Sequence, residues 1–232
     1  MKVFIVIPAY NEERNILEVV RNAKEHGEVV VVDDGSGDRT SEIVQGLGVK
    51  VLRHIINRGQ GASLKTGIDY ALASGAEIIV TIDGDGQHLA SEIPKFLEII
   101  EKQGVDVVLG SRFLDTDSHG LITDSHGSRI NEIPWTKKWL ILKPAIFFTK
   151  ISSGLELSDV HQGFRAMTRE AAEMIEMTQD GMAHASEIIS EIKKNKLTFR
   201  EVGIRVIYND YGQGMGGGVR ILRDLLFKKI IN

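Results

Sequence analysis

Cysteine is absent from all 232 residues, which excludes disulfides, thiolate metal sites and cysteine nucleophiles and fits a reducing interior. Long apolar runs are missing too. Nothing approaches the ~18 apolar residues that a bilayer span needs. The N-terminus, Met1-Lys-Val-Phe-Ile-Val-Ile-Pro8, enters an apparent core strand at once, too short and wrongly flanked for a signal peptide. The expected address is cytoplasmic. There is no basic excess: a net charge of -4 and a pI near 6.0 argue against a nucleic-acid partner. Two phosphate-binding signatures are also lacking. Pro8-Ala9-Tyr10-Asn11-Glu12, the turn after the first apolar run, holds no Gly-x-Gly-x-x-Gly, and Asn57-Arg58-Gly59-Gln60-Gly61-Ala62-Ser63 lacks the closing Gly-Lys-Ser/Thr of a Walker loop.

What is present is an alternation of short apolar runs with amphipathic stretches, the pattern of a mostly parallel sheet sandwiched by helices. The runs predict strands over 3–7, 28–32, 49–53, 77–82 and 105–110. Helices are predicted over 12–25, 38–45, 61–73 and 91–102, the last with Ser91 as N-cap and Pro94 in its first turn. Ligands of open α/β sheets gather beyond the carboxyl ends of the strands. Four polar loops leave those ends: 8–12, 33–36, 57–61 and 83–87. Their convergence argues for a nucleotide pocket. In the third loop, Arg58 and the glycines through Gly61, followed by a helix N-terminus, suit phosphate oxygens, although glycines before a helix also serve as plain turn formers.

The fourth loop carries the sharpest signal. The β-branched run Ile78-Ile-Val-Thr-Ile82 ends in Asp83-Gly84-Asp85-Gly86-Gln87-His88. Carboxylates at i and i+2 of an extended segment point to one side and repel unless a cation lies between them. Hard oxygen donors suit Mg²⁺ or Mn²⁺ bridging to a substrate diphosphate; an acidic surface turn is the plain alternative. His88, His119, His126, His161 and His184 form no metal-spaced pair on a helix and default to structural or solvated positions.

After residue 113 the pattern loosens into a polar loop. Residues 133–151 are apolar and aromatic, with Lys137, Lys138, Lys143 and Lys150 among them. These lysines share no face at about 100° per residue, and Pro144 breaks the run. Core packing is the simpler reading, while Trp135, Trp139 and the lysine stems would suit a headgroup interface. A strand over 163–167, helices over 169–177 and 185–194 and a strand over 199–208 follow. The division expected is one catalytic domain over 1–211, then a glycine-rich link and a basic amphipathic helix over 212–232.

In this order, Pro8-Ala-Tyr-Asn-Glu12, Val31-Val-Asp-Asp-Gly-Ser36, Asn57-Arg-Gly-Gln-Gly-Ala62 and Asp83-Gly-Asp-Gly-Gln-His88 resemble the family-two inverting glycosyltransferases of GT-A fold, and most nearly the dolichyl- and polyprenyl-phosphate sugar synthases. The resemblance extends through Gly110-Ser-Arg112, Ser158-Asp-Val-His-Gln-Gly-Phe-Arg165, the Glu187 helix and Glu201-Val-Gly-Ile-Arg205, so it covers nearly the whole chain. It implies nucleotide-sugar contacts at Pro8, Ala9, Tyr10, Glu12, Asp33, Arg58, Gly61, Asp83 and Arg112, and a Mg²⁺ or Mn²⁺ ion on Asp83, Asp85 and Gln87. It implies catalytic roles for Asp85, for Asp159 near the acceptor and for Arg165 on phosphate. Many relatives end in an Arg-rich element with Gly-x-Ser-Lys; here Tyr208-Asn-Asp-Tyr-Gly-Gln-Gly-Met-Gly-Gly-Gly-Val-Arg220 stands instead, leaving Arg205, Arg220 and Arg223 as nearby cations for phosphate.

The implied partners are a UDP- or GDP-sugar donor and a polyprenyl phosphate acceptor, with peripheral contact at the cytoplasmic membrane face or a membrane-protein partner. Two other readings stand beside this one: a transferase of the same fold acting on a saccharide hydroxyl, and a non-catalytic nucleotide-sugar-binding subunit of a membrane complex. A sugar-1-phosphate nucleotidyltransferase is disfavoured, because the Gly-rich, Arg-containing loop it needs after the first strand is missing.

Overall fold

The computed structural model describes residues 1–112, 114, 157–159 and 162–207. Its centre is β1 (Val3–Ala9), in which every residue is buried. Alternate side chains of a strand point to opposite faces. Ile5 and Ile7 therefore enter one core layer, while Phe4 and Val6 enter the other. A strand apolar on both faces needs helices on both sides, and the chain supplies them. Helices α1 (Ile16–Ala23) and α4 (Ile93–Gln103) cover the first face with Ile16, Val20, Ile93 and Phe96. Helices α3 (Gln60–Ala73), α5 (Arg169–Met174) and α6 (His184–Lys194) cover the second with Leu64, Ile68, Ala171, Ile188 and Ile192. A fully buried Ile, Leu or Phe contributes about 1.5–3 kcal/mol, so leaving either face of the sheet uncovered would forfeit several such contributions.

The remaining elements are β2 (Glu28–Asp33), α2 (Thr40–Gln45), β3 (Lys50–Arg53), β4 (Ile78–Thr81), a 3₁₀ turn (Ala90–Glu92), β5 (Val107–Ser111), β6 (Arg165–Thr168) and β7 (Phe199–Gly203). They form one seven-stranded sheet of order β3-β2-β1-β4-β6-β5-β7. Among the described strands only β6 runs antiparallel to its neighbours, pairing Thr81 with Arg165 on one side and Leu109 with Arg165 on the other. The chain winds outward from β1 to β3 and then returns to β4 on the opposite side of β1. The strand order reverses between β1 and β4, and such a reversal opens a crevice at the carboxyl ends of the two strands.

Several boundaries differ from the sequence expectation, each for a local reason. Helix α1 starts at Ile16, because Glu12 is held in a turn whose carbonyl accepts the N–H groups of Asn15 and Ile16 and whose own N–H donates to Thr40 Oγ1. Ser91 is not an N-cap: it lies inside the 3₁₀ turn, and α4 begins with Ile93 and Pro94 after Glu92. β7 ends at Gly203, beyond which Val206 makes a single bridge to His88. The expected stretches 133–151 and 212–232, with Tyr208, His119, His126, His161, Arg220 and Arg223, lie outside the described residues. Among the described residues, no helix is long and apolar enough to cross a membrane.

Candidate active site

Four loops meet at the β1/β4 crevice, and their own hydrogen bonds explain why they converge. Asn11 adopts a left-handed φ of 56°, and its side-chain oxygen accepts the N–H of Gly37 at 2.9 Å, while its N–H donates to Ser36 Oγ at 3.0 Å. The first loop is thus stitched to the second. Asp34 then ties the second loop to the third: Oδ1 accepts from the Arg58 N–H at 3.0 Å and pairs with His54 Nδ1 at 2.7 Å, and Oδ2 accepts from the Gly59 N–H at 2.7 Å. A carboxylate taking several N–H bonds is a strong clamp. Asp34 is accordingly a positioning group for the loop that Gly59, at φ 109°, turns into α3.

The cavity enclosed by these loops has a volume of about 400 Å³. Pro8, Ala9, Tyr10 and Glu12 line it from the first loop, Asp83, Asp85 and Gln87 from the fourth, and Arg112 and Arg165 from the far side. Most of the residues implied by the resemblance are therefore brought together. Asp33 is not among them: it is completely buried, its Oδ1 accepts the Ser36 N–H, and Arg53 Nε lies 3.2 Å from its Oδ2. Arg58 is half exposed and faces Asp180 Oδ2 at 3.4 Å rather than the cavity. Gly61 is also off the lining. A Cβ there would lie 2.0 Å from the Gln179 carbonyl oxygen, so this glycine lets the start of α3 seat against the 179–184 segment. Arg205 pairs with buried Glu92 at 2.7 Å and does not line the cavity.

The two acids of the fourth loop sit close together in a partly buried place. Asp83 Oδ1 accepts from Gln60 Nε2 at 2.7 Å, and a Cβ on Gly163 would be only 2.3 Å from either Asp83 oxygen, so the 163 backbone passes directly over this carboxylate. Asp85 Oδ1 accepts the Gln87 N–H at 2.9 Å. Burial first, and the charge of Asp83 second, push the Asp85 carboxyl above its ordinary range. Glu12 is pushed the same way, mainly by burial and further by Asp85 and Asp83, against an opposing hydrogen bond from Asn15. A third acid beside two crowded carboxylates leaves a local excess of negative charge that a divalent cation relieves. Among the described residues, no cluster of three or more His, Cys, Asp or Glu side chains forms a metal cage. A two-carboxylate set suits an ion that completes its octahedron with water and phosphate oxygens, so Mg²⁺ or Mn²⁺ fits these residues.

His88 also lines the cavity. It is buried beneath the acids, with Nδ1 placed to accept the Asp83 N–H at 3.3 Å and its ring 5.6 Å from that of Phe164, which stacks on Phe96 at 4.3 Å.

On the far side, Arg112 and Asp159 form a two-pronged ion pair: Nε to Oδ2 is 2.7 Å, Nη2 to Oδ1 is 2.8 Å, and the Arg112 N–H also donates to Oδ2 at 3.2 Å. Asp159 is buried and does not itself line the cavity. Its position is fixed by Glu201, whose Oε1 accepts from the Ser158 N–H and hydroxyl at 2.9 and 2.8 Å. Arg165, in β6, is 2 % exposed. Burial lowers its pKa to about 10 while Asp83 and Asp159 hold it up, so the guanidinium remains charged at neutral pH.

The sequence assigns no site role to Gln60, Ser63 or Gln162 and expects His184 at a structural or solvated position, yet all four line the cavity. Gln60 lies within the third loop, Ser63 stands two residues past it in the first turn of α3, and Gln162 precedes Gly-Phe-Arg, so their motifs were the signal. His184 had none, since its place depends on how α6 packs.

The Glycosyl transferase family 2 model matches residues 4–175. The chain is 37% identical over 234 residues to an uncharacterized protein of Methanocaldococcus jannaschii, covering 99% of this chain and 91% of that protein. It is 31% identical to the UDP-N-acetylglucosamine--dolichyl-phosphate N-acetylglucosaminyltransferase of Methanococcus voltae, covering 99% and 95%. It is 27% identical to the polyprenol monophosphomannose synthase of Mycolicibacterium smegmatis, covering 98% and 85%. Among solved structures, glucosyl-3-phosphoglycerate synthase from Mycobacterium tuberculosis with Mn²⁺, uridine diphosphate and phosphoglyceric acid superposes with a TM-score of 0.65 at 18% identity, over 90% of this chain and 72% of that one. The same enzyme with Mg²⁺ and uridine diphosphate gives a TM-score of 0.64 at 18% identity, with the same coverage.

Proposed function

The chain belongs to glycosyl transferase family 2 and has the GT-A fold, and from that premise we propose a metal-dependent, inverting transfer of a hexose from a UDP- or GDP-sugar to a polyprenyl phosphate. The observation that carries this reading is the Asp83/Asp85 pair, crowded in the β1/β4 crevice with the Asp85 carboxyl pushed up by burial and by its neighbour. Asp83, Asp85 and the Gln87 side chain would hold the ion. When bound, Mg²⁺ or Mn²⁺ supplies charge compensation for the nucleoside diphosphate leaving group.

This chain's residues do the rest. Pro8, Ala9, Tyr10 and Glu12 form one wall for the nucleoside, and Asp34 fixes the neighbouring loop in place. Arg165 remains a cation at neutral pH, buried beside Asp83, where it stabilises negative charge that develops in the transition state. A lipid phosphate has its second ionisation near ~6, so much of it is a dianion at neutral pH and attacks the anomeric carbon without a base. The engagement of both Asp159 oxygens by Arg112 supports this acceptor over a hydroxyl, whose proton would need a free carboxylate. Asp159 then acts by holding Arg112 toward the cavity, where it offers positive charge to the acceptor phosphate. The names of the Methanococcus and Mycolicibacterium relatives support a lipid-phosphate acceptor. Such an acceptor implies peripheral contact with a membrane or a membrane-protein partner.

The test is transfer of labelled sugar from UDP- and GDP-sugars, with Mg²⁺ or Mn²⁺, into organic-extractable product with and without polyprenyl phosphate, using Asp85→Ala as control. Product that needs lipid and metal and disappears in the variant is the expected result. Nucleotide release without lipid product would move the acceptor to a glycan hydroxyl, and no turnover with any donor would favour a binding subunit.

A further inference from the structure

The inner end of the cavity holds an unusual set of polar atoms. Ser63 Oγ, Gln162 Nε2 and Arg165 Nη1 are buried without a hydrogen-bond partner, and their residues are 0%, 5% and 2% exposed. All three residues line the cavity. Buried polar atoms in native proteins are ordinarily paired, so several orphans converging on one space point to an absent occupant. Beside them stands His184, 2% exposed, at the start of α6. Its Nδ1 lies 2.8 Å from the Gly181 carbonyl oxygen, a contact that requires the hydrogen on Nδ1 and leaves Nε2 as an acceptor. Burial, and then the Arg165 charge, lower the pKa of His184 to about 4, in keeping with a neutral ring.

The local architecture holds this ring in place. Gly61 lets α3 approach the 179–184 segment, where even a Cβ would come within 2.9 Å of His184 Cβ. Glu187, one turn along α6, accepts the N–H groups of Thr178 and Gln179 at 3.0 and 2.9 Å and so pins the segment leading into the helix.

We propose that Ser63, Gln162, Arg165 and His184 form the sugar-selecting subsite of the donor pocket, with His184 Nε2 accepting a hydrogen bond from a ring hydroxyl or amide N–H of the transferred sugar. This rests on the nucleotide-sugar reading above and deepens it. The mix of groups selects the ligand class. Gln162 and Arg165 offer donors, Ser63 offers both functions, and His184 and Asp83 offer acceptors. A phosphate has only acceptors and would leave His184 facing a lone pair. Sugar hydroxyls both donate and accept, and match the whole set. The neighbouring Asp83 and Asp85 place the diphosphate, and hence the attached sugar, on this side of the cavity.

The test compares, by calorimetry with Mn²⁺ present, the affinities of UDP and GDP with those of their glucose, mannose and N-acetylglucosamine derivatives, for wild type, Ser63→Ala, His184→Phe and His184→Gln. In wild type the favoured nucleotide sugar binds more tightly than its diphosphate. Both Ser63→Ala and His184→Phe shrink that gain by about tenfold or more, while the diphosphate affinities stay within about twofold and His184→Gln, which keeps a polar atom near the Nε2 position, restores part of the gain. Discrimination in kcat/KM between the favoured sugar and its epimers narrows by roughly 10–100-fold in His184→Phe, the loss expected when a site loses a group built to pair with a substrate hydroxyl. An unchanged gain in both Ser63→Ala and His184→Phe overturns the subsite. Equal loss of diphosphate affinity also overturns it, by assigning these groups to phosphate. If wild type binds no UDP- or GDP-sugar at all, the donor reading fails and the subsite falls with it; binding with indifferent variants sinks the subsite alone. Thermal unfolding of each variant identifies any that is not folded, and Ser63→Ala, the smallest change, remains informative if His184→Phe is lost.

Discussion

A buried histidine held neutral contributes a pH dependence with a definite sign. His184 has a folded pKa of about 4 against 6.5 for an exposed ring. Between these values the unfolded chain binds the extra proton, so stability rises with pH across the window and is lost as pH falls through it. The depression corresponds to about 3 kcal/mol at most. Urea unfolding of wild type and His184→Gln at several values from pH 7 to 4.5 should show a steeper loss for wild type; parallel curves would mean that the ring is not held neutral. Arg112 and Asp159 provide the second test at this scale. Because their two-pronged contact makes them one unit, Arg112→Ala, Asp159→Asn and the double variant should lower lipid-dependent transfer by similar factors of about 10–100-fold, with strong non-additivity in the cycle. A base role for Asp159 predicts something different, a much larger loss in Asp159→Asn than in Arg112→Ala and disappearance of an acidic limb in the pH–rate profile. Of the charged residues lining the cavity, Asp83 and Asp85 stand out by their spacing, whereas Glu12 and Arg165 come only from the family resemblance. Asp33 and Asp34 could not be told apart, since adjacent acids at a strand end differ only in which one turns inward and which one gathers the next loop's N–H groups.

At the scale of elements, α3 is the piece on which the pocket depends. Its N-terminus supplies Gln60 to Asp83 and Ser63 to the inner cavity, and two glycines set how closely it lies. A Cβ at Gly67 would meet Val6 Cγ1 at 2.3 Å, and one at Gly61 would meet the Gln179 carbonyl at 2.0 Å. Helical propensity favours alanine at both positions by about 1 kcal/mol, whereas overpacking costs roughly 1–3 kcal/mol, so packing decides the sign. Gly67→Ala should therefore lower stability by about 1–2 kcal/mol in urea unfolding with little change in nucleotide affinity, because it pushes on β1 away from the pocket. Gly61→Ala should also weaken nucleotide-sugar binding, because it pushes the 179–184 segment and His184. Two variants that behave alike in both assays would refute this division. The sheet and helices of the first half were legible, since short β-branched runs such as Ile78-Ile-Val-Thr and Val29-Val-Val-Val, bounded by polar loops, read as strands buried on both faces. Less legible was the antiparallel insertion of β6 between β4 and β5, which no local pattern encodes because Arg165-Ala-Met-Thr reads the same in either direction. The cavity's inner wall came with that insertion, through Arg165 itself.

For the whole molecule, the switch point between β1 and β4 concentrates carboxylates where two strand ends and four loops meet, and the metal-free fold carries that charge as a cost. Burial and mutual repulsion raise the Asp85 carboxyl, so the folded chain holds a proton there at a pH where the unfolded chain has lost it. A raised carboxyl makes the metal-free protein less stable as pH rises through that window, the reverse of an ion-paired acid. Cation binding requires the deprotonated carboxylate and so strengthens over the same window. Mn²⁺ with UDP or GDP should then raise the melting temperature, and more on the alkaline side of that window than on its acid side. A ligand at 100 times its Kd contributes about 2.7 kcal/mol, and each kcal/mol moves the melting temperature by about 2–4 °C for a chain of this size. Asp85→Asn removes both the repulsion and the site. It should match or exceed the metal-free wild type in stability at pH 8, yet gain almost nothing from Mn²⁺ plus nucleotide. A variant that is both less stable than metal-free wild type and still stabilised by the pair would place the cation elsewhere and make Asp85 a structural acid.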